Sequence, residues 1–141
     1  MVNGHPFVPT DITVTFTKNG MGVNGQEFDR YQLALDAGDI FNEFSADVLV
    51  PAGKPIDGRV HREIASDAIG VQPMAADGTP EVQGWDLSFG AAGVDTNFGL
   101  DTGGLRIEWG HKSGDTLPGK IVFCAASIDT EISGTFVAKF R

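Results

Sequence analysis

The sequence predicts an all-β protein, an antiparallel β-sandwich of about seven or eight strands with at most one short helix. Four observations carry that expectation. Large apolar residues recur at every second position in several segments of strand length. Gly, Pro, Asn and Asp clusters separate those segments. Glycine is 19 of 141 residues, about twice the usual ~7%. Asp outnumbers Glu 13 to 6, which favours turns over helices because Asp bonds its own backbone and Glu is the better helix former.

Each element follows from its residues. Met1–Thr10 is irregular, with Pro6 and Pro9 opposing regular structure. Residues 11–18 alternate, with Ile12, Val14 and Phe16 on one face and threonines on the other. Asn19-Gly20 ends this strand and Asn24-Gly25 is a second turn signal, so a flexible loop or hairpin tip is expected between them. Tyr31, Leu33 and Leu35 mark a strand over 28–36; Phe44, Ala46, Val48 and Val50 mark another over 44–50, stopped by Pro51. Residues 59–69 fit a short helix, because Val60, Ile64 and Ala68 form a stripe that Gly70 could cap. A surface loop is expected over 70–80 and a glycine-rich connection over 90–104. Strands are expected at 81–89 (Trp85, Leu87, Phe89), 105–109 (Leu105, Ile107, Trp109) and 132–140 (Phe136, Ala138, Phe140). The segment 120–127, built on the unbroken apolar run of residues 121–126, reads as a central strand covered on both faces, with Cys124 as a core thiol.

The expected organisation is an arm, residues 1–10, on a single domain, residues 11–141. A two-sheet jelly roll is the preferred topology. No fixed-period repeat points to a propeller or solenoid.

The net charge of −9 opposes association with a duplex or an anionic membrane, so no nucleic-acid or membrane partner is expected. One cysteine permits no internal disulfide. No signal segment or bilayer-length apolar stretch is read, so a cytoplasmic or virion location is expected.

The motifs of catalysis are not found in the sequence. There is no Gly-x-Ser-x-Gly elbow, no phosphate-binding glycine loop, and no metal-ligand spacing among His5, His61 and His111, which read as surface or hydrogen-bonded histidines. Asp86 and Glu108 could form a carboxylate pair, but strand parity turns both away from the tryptophan faces toward solvent. Trp85 and Trp109 share parity with large apolar neighbours and belong in a core rather than on a sugar-stacking surface. A weak calcium candidate remains in Asp95, Asn97 and Asp101, whose spacing imitates the start of a calcium loop. The imitation stops at Arg106, where a bidentate Glu would be needed.

These features imply a non-enzymatic protein that works by contact. The arm has little core-forming content of its own, so Met1, Val2, His5, Pro6, Phe7 and Val8 are the expected assembly contacts with another chain. In overall type the chain resembles virion decoration or head-fibre modules, which implies a structural subunit, homo-oligomeric or bound to a capsid, with no cofactor. A carbohydrate-binding module, calcium-assisted through Asp95, Asn97 and Asp101, is the alternative.

Overall fold

A computed structural model describes residues 1–38, 42–64, 81–90, 93–97, 104–125 and 129–141. The protein is all-β and sandwich-like, and there is no α-helix among the described residues. Among the described residues nine strands form one hydrogen-bonded sheet in the order β4-β7-β8-β9-β1-β2-β3-β5-β6. They are β1 Asp11–Val23, β2 Gln26–Asp36, β3 Asn42–Pro51, β4 Val60–Ile64, β5 Val82–Phe89, β6 Val94–Asn97, β7 Gly104–Trp109, β8 Thr116–Ala125 and β9 Thr130–Phe140. No helix among the described residues is long and apolar enough to cross a membrane.

Every pairing is antiparallel except β1 with β9, which is parallel and covers only Thr13↔Lys139 and Val14↔Phe140. This short seam divides the sheet into two antiparallel halves, and the sheet doubles over so that their apolar faces meet. Phe123 on β8 stands 4.8 Å, centroid to centroid, from both Phe44 on β3 and Trp85 on β5. Around these rings Leu33, Leu35, Val48, Leu87, Leu105, Ile107 and Leu117 are buried. The strand order is built from meanders, β1-β2-β3 and β7-β8-β9, and gives no support to the finer jelly-roll assignment.

The two Asn-Gly pairs do different work. Asn24 and Gly25 both take positive φ, 52° and 80°, and make the two-residue turn between β1 and β2. Asn19 also has positive φ, but it lies where the β1–β2 register shifts between Thr17 and Met21, so the first pair is a bulge inside the hairpin. The buried Asp29 carboxylate holds the bulge, accepting from the Asn19 N–H at 3.0 Å and, with its other oxygen, from the Gly53 N–H at 3.0 Å. Phe16, paired with Tyr31 just before this bulge, is 41% exposed, although its parity is that of the buried Val14.

Three sequence expectations are corrected here. Val60–Ile64 is a strand and not a helical turn, because β7 offers it a free edge with five paired positions and His61, not Val60, faces inward. The stretch expected as a continuous connection contains β6, paired to β5 from Phe89↔Val94 to Asp86↔Asn97. Cys124 is exposed, because β8 has one covered face: Ile121, Phe123 and Ala125 point inward, Val122 is half-buried and Cys124 faces out. The loop expected over 70–80 and the remainder of the expected helix lie outside the described residues.

Gly119 shows how closely the inner face is fitted. It sits opposite both Trp109 on β7 and Phe136 on β9, whose rings meet edge to face at 5.8 Å across it. A Cβ there would lie 2.5 Å from Phe136 Cζ and 2.9 Å from the Glu108 carbonyl oxygen. Gly119→Ala is therefore expected to lower unfolding free energy by about 1–3 kcal/mol through overpacking, read by urea titration. An unchanged denaturation midpoint would show that the rings can move apart freely.

Candidate functional site

Two places bring functional side chains together: a buried polar latch between the halves, and the seat of the N-terminal arm.

The latch is made by β4, β7 and the β3–β5 pair. The β3–β5 register slips between Asp47 and Val48, and beyond the slip the Leu49 N–H donates to the Glu81 carbonyl at 3.1 Å. The Leu49 carbonyl accepts from His61 on β4, with Nε2 at 2.9 Å. Trp109 Nε1 donates to His61 Nδ1, also at 2.9 Å. An indole nitrogen can only donate, so Nδ1 accepts, and the ring proton resides on Nε2. His61 is 2% exposed, and burial pushes its pKa below the ordinary 6.5 despite the opposing pull of the Leu49 carbonyl and Glu81. Beside it the Glu81 carboxylate, also buried, accepts from the Arg62 backbone N–H at 2.5 Å and from its guanidinium at 3.2 Å. The edge of β4 is thus tied to β3 and β5 by side chains rather than by a ladder. Both ring nitrogens of His61 and both carboxylate oxygens of Glu81 are engaged by groups of the fold itself.

The arm seat lies at the far side of the sandwich. Val2 is 0% exposed and belongs to the main core. It bridges to Thr130 at the start of β9, with Met1 and Glu131 exchanging backbone hydrogen bonds and the Asn3 N–H donating to Thr130 Oγ1 at 3.2 Å. Asn3 and Gly4, both at positive φ, turn the arm back on itself, and Val2 and His5 exchange bonds of 2.8 and 2.9 Å. Phe7 packs edge to face on Phe89 at 5.6 Å. The arm rejoins the sheet where the Thr10 N–H donates to the Asp36 carbonyl. Val2 is accordingly withdrawn from the expected assembly contacts: a β-branched apolar residue placed at an open strand edge is taken into its own core. Met1, His5, Pro6 and Val8 remain exposed, and Phe7 is half-buried.

The other sequence candidates are dispersed. Asp95 and Asn97 stand on β6, in register with Ser88 and Asp86, and Asp101 lies outside the described residues. No group of three potential metal ligands is found among the described residues. Asp86 is exposed and Glu108 pairs with Arg106 at 3.1 Å, so the two acids do not meet. Trp85 and Trp109 are buried. His111 lies 3.8 Å from Asp57, and His5 is on the arm. Asp36, Glu43, Asp47 and Asp86 form an acidic patch on the outer face of β2, β3 and β5. Burial, with added repulsion from Asp36 and Asp86, raises the Glu43 pKa; burial likewise raises that of Asp47, against the pull of Arg30.

Comparison of the chain with protein-family models, curated proteins and solved structures gave no match. What the arrangement can do is therefore read from its own chemistry.

The latch makes a pH prediction. With a depressed folded pKa, His61 stays neutral in the native state while the unfolded chain takes up a proton near 6.5, so stability falls as pH drops below that value. The slope contributed is at most about 1.4 kcal/mol per pH unit. Glu43 and Asp47, with raised values, act in the opposite sense at lower pH. Urea titrations from about pH 7.5 to 5.5 should show the decline, and His61→Gln should start less stable but lose that slope. An equal slope in the variant would assign the pH dependence to another group.

Proposed function

We propose that the protein is a non-catalytic structural subunit that acts by binding other protein chains, as a β-sandwich module of a homo-oligomer or of a larger particle of the capsid-decoration or head-fibre kind. The observation that carries this reading is the arm. Buried Val2 fastens it at one end and Thr10 at the other, while Met1 and Val8, at 61% and 67% exposure, present apolar side chains outward beside Pro6. Exposed apolar residues on a fixed segment gain free energy when a partner covers them, and because the segment is already ordered, little entropy opposes that gain. The acidic balance suits a subunit that must stay soluble before it assembles.

Removing residues 1–10 is a poor test, because it also takes Val2 out of the core. Val8→Glu leaves the seat intact. It should change unfolding free energy by less than about 0.5 kcal/mol, as for an exposed site. It should also abolish the concentration-dependent association of the wild-type chain in sedimentation velocity. A wild-type chain that stays monomeric at every concentration, or a variant that associates as before, overturns the reading.

A further inference from the structure

The arm pairs through its backbone with only one end of the open edge of β9. Strand direction shows which backbone groups are left over. Glu131 exchanges hydrogen bonds with Met1, and the Arg141 N–H, ten positions on, donates to the Val14 carbonyl at 3.0 Å, whereas the Phe140 N–H donates to Asp115 on the β8 side. The β8–β9 register runs without a shift from Ala125↔Thr130 to Thr116↔Lys139. Odd-numbered residues of β9 therefore direct their N–H and C=O groups away from β8. Met1 takes those of Glu131, and the seam with β1 begins only at Lys139. Between them the N–H and C=O groups of Ser133 and Thr135 point into an opening, with no backbone partner among the described residues.

That opening is a cavity of about 260 Å³. Ile12, Leu35, Ile121, Ile132 and Phe136 give it an apolar floor, and Met1, Phe7 and Pro9 of the arm line it as well. Exposed Ser133, Gly134 and Thr135 form its strand-edge wall. A row of paired donors and acceptors at strand spacing is the complement of an extended polypeptide backbone, and an apolar floor beside it takes every second side chain. The arm already uses the same edge in this way at Val2↔Thr130.

We infer that the edge of β9 from Ser133 to Val137 is a strand-addition site for an extended segment of a partner protein. About five residues would span it, with Val-, Ile- or Leu-sized side chains at alternate positions turned onto the floor. This deepens the assembly reading by giving the partner's chemistry. It is tested on the isolated chain, so its failure leaves the Val8 experiment standing.

The probes are three fluorescein-labelled, amidated hexapeptides alternating threonine with valine, isoleucine or leucine, followed by fluorescence anisotropy. At least one should bind saturably, and the Ser133 and Thr135 amides should become protected from hydrogen exchange. Thr135→Pro removes one donor at a position that makes no bond to β8, where an edge proline is tolerated. It should weaken binding at least about tenfold, the usual effect of leaving one buried acceptor unsatisfied, whereas Thr135→Val should bind normally. If Thr135→Pro fails to fold, the same peptides N-methylated at alternate residues supply the second arm of the test and should not bind wild type. The inference is overturned by silence from all three peptides, by equal binding of the N-methylated forms, or by a folded Thr135→Pro that binds as wild type does.

Discussion

The structure depends on one packing event, the entry of Phe123 between Phe44 and Trp85. Those rings belong to opposite halves of a sheet that would otherwise be a long open ribbon, and their contact brings the two apolar faces together. The backbone alone could not do it, since only Thr13 and Val14 of β1 pair with β9 at the seam. Burial of the aromatic and aliphatic faces supplies the driving force, and the seam fixes where the fold line falls. The latch at His61 then closes the far margin, where the β3–β5 slip has left the Leu49 carbonyl for a side chain to engage.

Most of the fold was legible because a half-buried strand states its own pattern. Leu33 and Leu35, Trp85 to Phe89 and Leu105 to Trp109 alternate in sequence and are buried as their parity requires, as are Phe44, Ala46, Val48 and Val50, although Ser45 and Leu49 on the other face of β3 are buried as well. Parity fails where a strand lies at a margin. On β4 the inward residue is a histidine, so the apolar stripe of Val60 and Ile64 suggested a helix. On β6 only Val94 among four residues is apolar, and four residues set no period. At Cys124 the difficulty was the reverse: an unbroken apolar run concealed which residues faced out, and a small thiol is tolerated on the uncovered side.

The site was legible in part. Residues 1–10 lie outside the nine strands, but nothing in Met-Val-Asn-Gly signals that Val2 will fill a hole beside Thr130, since that hole is made by residues nearly the whole chain away. Asn3-Gly4 was the one available clue, a tight-turn pair inside a segment read as an arm. The His61–Trp109 bond was equally hidden, because it joins strands separated by 48 positions. The unfilled edge of β9 could not have been found from composition, because it is defined by which strand stops short.

The outward position of Cys124 carries a practical consequence. The chain has a single sulfhydryl, fixed on a rigid strand opposite Glu131 and bordering a shallow hollow shared with Met1, Asp129 and Thr130. A dye or nitroxide attached there by thiol chemistry would sit at the root of the arm. Its spectrum would then report, from one uniform attachment point, whether the first residues are docked or displaced.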